Sequence, residues 1–266
     1  MENNEEIRQY WQNRARELGS STAVTTQDVH LRELEIATLR SQLENLNLPP
    51  GSRVVDIGCG DGHSTLKVAK SLKTLSFKAM DFSSNMIDVA RERLEQNPEL
   101  KERVSFEVGD VTDLRSCLSE GSVDVVTTDR CLINLTSGRQ QYDALAEIHR
   151  ALKPGGHYVG IEDFQEGNDE LNRLRESLGL PKIAVRWHNL FFRQAEFLQQ
   201  MKCLFSAVEI IDFASSYYFA TRVVYSKCCQ LNNVQPDYHH EVHQLAGDIP
   251  NVGSVSPLKL IVMAKQ

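Results

Sequence analysis

Between about residue 50 and residue 165 the sequence alternates short apolar runs with segments of helical periodicity, and this alternation constrains the fold most. Five runs have the length of one buried strand: RVVDIG, LSFKAMD, RVSFEVGD, SVDVVTTD and HYVGIED. Three segments between them read as helices: HSTLKVAKSL, SSNMIDVARERLEQN and GRQQYDALAEIHRAL. Because parallel strands need a long crossover connection, the alternation predicts a parallel sheet covered by helices on both faces.

Helical segments precede the alternation, and two insertions follow it. Residues 1–49 are predicted to form a helical cap, and residues 50–266 the main domain. The insertions cover residues 164–192 and 214–257, where a lid over a substrate would be built. In the second insertion, only the latter half of ASSYYFATRVVYSKCCQL is predicted to be helical, and the polar stretch after it is predicted to be a loop.

Composition excludes several classes of protein. The 266 residues carry a formal charge of −7, which argues against a nucleic-acid partner. No apolar run approaches the roughly 20 residues of a membrane span, and the polar start MENNEEIRQYW is unlike a signal peptide. The six cysteines lack metal-ligand spacing. We therefore expect a cytoplasmic location and no membrane partner, whereas the sequence carries no signal of oligomeric state.

A glycine loop, GCGDG, follows the first predicted strand. Parallel sheets bind ligands at the carboxyl ends of their strands, and glycines there let the backbone approach a ligand closely. A dinucleotide fingerprint requires G-x-G-x-x-G, but His63 stands where its third glycine would be. The spacing of Gly58, Gly60 and Gly62 therefore disfavours a pyrophosphate ligand.

Acidic residues lie within or after the first three predicted strands. Asp56 lies within the first strand, where it would orient the loop or receive an ammonium group. Asp81 ends the second strand, where a carboxylate suits the two hydroxyls of a ribose. Asp110 follows the third strand and is placed to accept from an exocyclic amine. Together these acids favour a cationic ligand with a ribose and an amine, and they would repel a diphosphate.

Four segments resemble motifs of the class I S-adenosylmethionine-dependent methyltransferase family: VVDIGCGDG, AMDFSSNM, VGDVTDL and ALKPGGHYVGIED. The segments DRCLINL, ALKPGG, IED, LNRLRESLGLP and WHNLFF further resemble its small-molecule members from bacterial polysaccharide and natural-product pathways. The resemblance to the family covers roughly residues 50–165. It implies an α/β, doubly wound, seven-stranded and mostly parallel sheet (a Rossmann-like methyltransferase fold). LKLIVMAK would form the antiparallel last strand. It also implies S-adenosyl-L-methionine as the cofactor.

The resemblance assigns cofactor contacts residue by residue. The methionine part would lie on the loop of Gly58, Gly60 and Gly62, supported by Asp56, and Asp81 would bind the ribose. The adenine would contact four further residues: Phe82, Met86, Asp110 and Val111. For Phe82 and Met86, ordinary helix packing is the alternative.

Two more regions are expected to border the cofactor. Asp129 would lie near the methionine amino group or the methyl group, with a possible catalytic role. In the first helix, Trp11 would cover the site and Arg14 would meet a carboxylate. A plain amphipathic helix docked on the domain is equally consistent with that segment.

Candidate acceptor contacts lie outside the cofactor motifs. In RWHNLFF, His188 is either a general base or a packed histidine, and Asn189 adjoins it. Tyr217 and Arg222 are predicted to face the substrate. Three more histidines, His239, His240 and His243, raise the question of a metal, but no fourth ligand is evident and we predict none.

Arg130 directly follows Asp129 at the end of a buried strand. An unpaired arginine is costly there, so it should bind an anionic part of the acceptor or an acid of the protein such as Glu35 or Asp163. The first option favours a small polar, anionic acceptor such as a sugar, a sugar nucleotide, or a phosphorylated or amino-acid-like compound, and we expect it to be methylated on oxygen. The alternatives are N-methylation of a small amine and a cofactor-binding accessory protein without catalysis.

Overall fold

A computed structural model describes residues 2–19 and 26–266. Within them lies one seven-stranded sheet with the order β3-β2-β1-β4-β5-β7-β6. The strands are β1 Arg53–Ile57, β2 Ser76–Asp81, β3 Val104–Val108, β4 Val123–Asp129, β5 Leu152–Asp163, β6 Ala207–Asp212 and β7 Leu258–Ala264. Strand β7 runs antiparallel to both β5 and β6, whereas β1 to β5 pair in parallel. The predicted fold class is therefore confirmed.

Ten α-helices are assigned in the part of the chain that the structure describes, and none is long and apolar enough to cross a membrane. They are α1 Glu2–Leu18, α2 Val29–Asn45, α3 His63–Ser71, α4 Ser84–Glu95, α5 Gly138–Ala151, α6 Gln165–Ser177, α7 Gln194–Met201, α8 Ser215–Tyr218, α9 Ser226–Leu231 and α10 Glu241–Asp248. The 3₁₀-helices are Pro98–Leu100, Val111–Ser116 and Leu132–Asn134, and a π-helix spans Phe219–Tyr225.

Both faces of the sheet are buried, which explains why its strands read as unbroken apolar runs. Successive side chains of a strand point to opposite faces. Val54 accordingly packs in a core cluster that also contains residues of α2 and α3. Its neighbour Val55 packs in a second cluster with residues of α5 and α7. This burial on two faces is characteristic of parallel sheets between helical layers.

The second insertion is more helical than the sequence predicted. Helix α8 begins at Ser215 and continues through the π-helix into α9, so the first half of the segment is also helical. Helix α10 lies in the stretch predicted to be a loop. Its first turn is capped by the His240 side chain, which accepts from Val242 N. Helices this short depend on caps and tertiary packing more than on periodicity, so the pattern did not show them.

The close packing around Gly62 predicts that a side chain there would destabilise the folded protein. Gly62 has φ +71°, and a Cβ there would lie 2.8 Å from Ala90 Cβ and from the Phe106 ring. Gly179 has a similar φ of +68° but nothing within 4 Å, which makes it a matched control. We expect Gly62→Ala to lower the free energy of unfolding by about 2–4 kcal/mol, and Gly179→Ala by about 1 kcal/mol. Urea unfolding measures both, and equal losses would contradict the packing argument.

Candidate active site

A cleft opens at the carboxyl ends of β1, β2 and β4, below the first helix. Five strand-end residues predicted to hold a ligand line its wall together: Gly58, Gly60, Asp81, Asp110 and Asp129. They come from separate parts of the sequence, and the parallel sheet brings them to one edge because its strands share a direction.

The glycine loop has two different parts. Gly58 and Gly60 have φ of +75° and +53° and line the cleft. A Cβ on Gly58 would lie 2.5 Å from Cys131 Sγ, so the loop approaches β4's end too closely for a side chain. Gly62 is not in the cleft wall; it precedes α3 and packs against α4 and β3. The expectation that Gly62 contacts the ligand is therefore corrected to a packing role.

Asp81 joins the glycine loop to the end of β2. Its Oδ2 atom accepts from Gly60 N at 3.0 Å, and its Oδ1 atom accepts from Ser83 N at 2.9 Å. Burial raises the pKa of Asp81 to about 6, although these two hydrogen bonds oppose the shift. A carboxylate with two oxygens can accept further hydrogen bonds, so Asp81 keeps acceptor capacity for a ligand in the cleft.

Asp56 lies beneath the loop in an inner cavity that adjoins the cleft. Its carboxylate accepts from Thr65 Oγ1 at 2.5 Å and from Thr127 Oγ1 at 3.0 Å. Burial raises the pKa of Asp56 to about 6. Its contacts link β1 to α3 and β4, so it supports the loop and does not face the cleft.

Arg8 of α1 contacts both side chains predicted to hold the edge and face of an adenine. Its guanidinium forms an ion pair with Asp110 and lies over the Phe82 ring, 5.3 Å from the centroid. Asp110 also accepts from Thr112 N and Oγ1. Arg8 was not among the residues predicted from the sequence to border the cleft. Its position three residues before Trp11 places both on one helix face, and that spacing was the available signal.

Trp11 lies in the cleft wall as predicted, and it packs against Met86, which also lines the cleft. Val111 completes this apolar side. Arg14 does not line the cleft, and its guanidinium lies over the Tyr10 ring, 5.8 Å from the centroid. The carboxylate contact predicted for Arg14 stays a prediction.

Arg130 lies in the cleft wall, but its guanidinium is already paired. Its Nη2 atom lies 3.1 Å from Glu35 Oε2, and Glu35 is fully buried. Its Nε atom lies 3.7 Å from Asp129 Oδ1. Burial raises the pKa of Glu35, and the Arg130 cation opposes that shift. From the sequence, Arg130 was expected to bind either an anionic part of the acceptor or an acid of the protein, and the structure shows the second.

A buried glutamate fixes the backbone that follows Arg130. Glu162 of β5 accepts from the backbone N–H of Cys131, Leu132 and Ile133, and from Thr128 Oγ1. Burial raises the pKa of Glu162 to about 8, although these hydrogen bonds act to lower it. The 3₁₀-helix Leu132–Asn134 is thereby held rigidly beside the cleft.

His188 is buried beside this 3₁₀-helix. Its Nδ1 atom lies 3.0 Å from Asn134 Oδ1, which also accepts from Trp11 Nε1 at 3.3 Å. The imidazole stacks on Tyr10, with centroids 5.0 Å apart, and meets the Trp187 ring edge-on. Burial, and secondarily the Arg186 cation, lower the pKa of His188 to about 4. The imidazole is therefore neutral at pH 7.

The loop that carries His188 is hydrogen-bonded to the 3₁₀-helix Leu132–Asn134 and to α5. Leu190 N donates to Ile133 O at 2.7 Å, and Gln141 Nε2 donates to Leu190 O at 2.8 Å. Phe192 forms a bridge with Phe164 at the end of β5. His188 and Asn189 consequently lie in the cleft wall, as the sequence predicted.

Comparison with known proteins agrees with this geometry. Residues 54–156 match a family model described as a methyltransferase domain. The chain is 34% identical over 121 residues to the demethylmenaquinone methyltransferase of Leptospira interrogans, covering 46% of each chain. It is 29% identical over 161 residues to an O-methyltransferase of Pyrenophora dematioidea, covering 59% of this chain and 54% of the relative. It therefore spans about half the length of these relatives.

A solved structure shares the fold. The S-adenosylmethionine-dependent methyltransferase SibL, in its apo form, superposes with a TM-score of 0.56 at 18% identity, covering 88% of this chain and 55% of SibL. Residues 54–156 therefore carry a methyltransferase domain. The resemblance read from the sequence motifs is thus confirmed.

The cleft of this methyltransferase domain fits the family's cofactor in its donor set. Asp129 Oδ1 is buried, makes no hydrogen bond to any described residue and lies 3.7 Å from Arg130 Nε, so it keeps acceptor capacity for an ammonium group. Asp81 and Asp110 offer carboxylates at the places predicted for ribose and amine, and Phe82 offers an aromatic face. Together they suit a cationic nucleoside with an amino-acid tail.

Tyr217 and Arg222 are the clearest corrections to the predicted substrate contacts. The Tyr217 hydroxyl donates to Asp28 Oδ1 at 2.5 Å and lies 3.0 Å from His243 Nδ1. Arg222 forms an ion pair with the same carboxylate. Asp28 caps α2, so this buried cluster holds α2 against the second insertion, and no residue of 214–257 lines the cleft. Residues 215–231 are helical throughout, and in this helix Tyr217 and Arg222 contact Asp28 and not the cleft.

The three histidines of the second insertion differ in burial. His243 is buried in the Asp28 cluster, whereas His239 and His240 are exposed. Across residues 2–19 and 26–266, no group of three His, Cys, Asp or Glu side chains is arranged to hold a metal ion.

Proposed function

We propose that this chain is an S-adenosylmethionine-dependent methyltransferase of a small molecule. One observation carries the proposal: the glycine loop, Asp81, Asp110 and Asp129 all line a single cleft. Each alone is a common strand-end feature. Their convergence provides separate places for the methionine, ribose and adenine parts of one cofactor.

Each residue has a defined task in this proposal. Gly58 and Gly60 admit the methionine part, Asp129 accepts from its ammonium group, and Asp81 accepts from the ribose. Phe82 and Asp110 hold the adenine, exchanging part of their contact with Arg8 for it. When bound, the cofactor supplies a methyl group on a sulfonium, and α1 with Trp11 excludes water from it.

The acceptor is proposed to be a small molecule methylated on oxygen. An anionic acceptor was predicted on the assumption that Arg130 binds it. Because Arg130 is paired with Glu35, Arg130 no longer supports that prediction. The exposed Arg186 also lines the cleft and can bind an anionic group of the acceptor. The methyl acceptor is proposed to bind beside His188 and Asn189, which line the cleft with it.

The direct test is calorimetric titration of the purified chain with S-adenosylmethionine and S-adenosylhomocysteine, followed by a search for products heavier by one methylene in a metabolite pool. We expect saturable binding of both and at least one methylated product. Absence of binding would refute the proposal. Binding without any transfer would instead identify an accessory protein.

The raised pKa of Asp81 predicts a pH dependence of cofactor binding. The ionised carboxylate binds ribose hydroxyls, and its pKa of about 6 in the free protein means that it becomes protonated as the pH falls below that value. We therefore expect affinity to be constant above about pH 7 and to fall up to tenfold per unit at lower pH, as for one proton. Calorimetry at several pH values checks this. Asp81→Asn should remove the dependence attributable to this group.

A further inference from the structure

The orientation of the Asn134 amide fixes the tautomer of His188. Asn134 Nδ2 donates to Arg130 O at 2.7 Å, so this end of the amide is the nitrogen. The other end accepts from the indole N–H of Trp11, which can only donate. Oδ1 is therefore the atom 3.0 Å from His188 Nδ1. In the neutral ring, Nδ1 carries the proton and Nε2 carries the lone pair.

The Nε2 lone pair has no partner in the part of the chain that the structure describes. His188 is 5% exposed, and its Nε2 atom is buried without a hydrogen bond. Asn189 Oδ1, also in the cleft wall, is a second buried acceptor without a bond. Buried acceptors of this kind cost free energy unless a ligand donates to them. A ligand with an O–H or N–H group would satisfy these acceptors.

The surrounding wall defines the body of that molecule. Near His188 the cleft is lined by the Trp11 ring and by the apolar side chains of Ile133 and Leu135. The Arg130 cation in this wall is neutralised by Glu35. The exposed Arg186 also lines the cleft and can meet an anionic substituent. A flat, largely apolar body suits the remaining surfaces, whereas a sugar would leave most of its hydroxyls without partners.

We propose that the methyl acceptor is a phenol-type hydroxyl compound whose O–H donates to His188 Nε2, and that His188 is the catalytic base. This inference deepens the proposed function and rests on it. The acceptor oxygen bonds to the methyl carbon as the carbon–sulfur bond breaks with its electron pair to sulfur, and the hydroxyl proton passes to Nε2. One positive charge leaves the sulfonium and one appears on the imidazole, so the charge of the site is conserved.

The test compares two phenols of different acidity. One is a weakly acidic alkylphenol, and the other is a nitrophenol that is already ionised at the assay pH. We expect His188→Ala to lower kcat about 100-fold for the alkylphenol and less than about threefold for the nitrophenol, because only the first needs a base. His188→Gln, which keeps a planar polar group, guards against a folding defect. His149→Gln is the matched control, since His149 lies on α5 against Phe205 and outside the cleft.

Equilibrium binding separates this inference from the proposed function. Calorimetry with S-adenosylmethionine should give the same affinity for the unchanged chain and both His188 variants. Alkylphenol affinity in the presence of S-adenosylhomocysteine should fall in the variants. Equal rate losses for both phenols would overturn the role of His188. Tight cofactor binding without methylation of any phenol would overturn the acceptor class alone, and absence of cofactor binding would overturn both proposals.

Discussion

Asp81→Ala is expected to weaken S-adenosylmethionine binding by about 100-fold or more. The carboxylate would lose hydrogen bonds to the ribose, and hydrogen bonds to a charged group contribute about 1.5–3 kcal/mol each. The change also frees Gly60 N, which Asp81 Oδ2 holds at 3.0 Å, so the loop would lose part of its order. Calorimetry gives the affinity directly.

Asp81→Asn distinguishes the two contributions. Asparagine keeps one oxygen for a backbone N–H but loses the charge and the second acceptor. Asp124→Asn is the matched control, because Asp124 accepts from Arg53 N and Lys153 Nζ at the amino end of β4, away from the cleft. We expect Asp124→Asn to change stability but not affinity. An unchanged affinity in Asp81→Ala would refute the ribose assignment.

Arg130→Met is expected to lower the free energy of unfolding by about 3 kcal/mol. Removing one partner of a buried ion pair leaves the other charge uncompensated, and Glu35 has no exposed surface. The double variant Glu35→Leu/Arg130→Met should recover most of the loss, since apolar side chains need no partner there. Urea unfolding of the single and double variants measures this coupling.

A surface ion pair provides the comparison. Arg139 and Asp143 form an exposed pair one turn apart on α5. We expect Arg139→Met to change the free energy of unfolding by less than about 0.5 kcal/mol. If Arg130→Met instead left stability unchanged and raised only the acceptor KM, Arg130 would bind the acceptor, as first considered from the sequence.

Arg130 also shows why a pair of neighbouring charges was hard to interpret from the sequence. The sequence places Asp129 and Arg130 at a strand end and predicts that they border a ligand. Both residues line the cleft. The partner, Glu35, lies 95 positions earlier in α2. Arg130 also has φ +51°, which turns its side chain away from the strand direction. Neither fact has a local signal in the sequence.

Residues that lie at strand ends were predictable for a physical reason. Strand, turn and helix signals are local, and a parallel sheet brings all carboxyl ends to one edge whatever the details of packing. Asp81, Asp110 and the two cleft glycines therefore follow from the pattern alone. Tyr217 and Arg222 do not, because helical rotation within an insertion decides which way each side chain points.

The sequence by itself determined the sheet, the methyltransferase domain and the strand-end residues that meet at the cleft, because these depend on short-range periodicity and on residues at fixed offsets from strand ends. Only the tertiary structure decided the other side of the cleft, where we propose that the acceptor binds. Contacts between segments far apart in the chain orient the Asn134 amide, bury His188 Nε2 and form the Arg130–Glu35 pair there. Such contacts depend on burial and orientation, which a linear pattern does not encode.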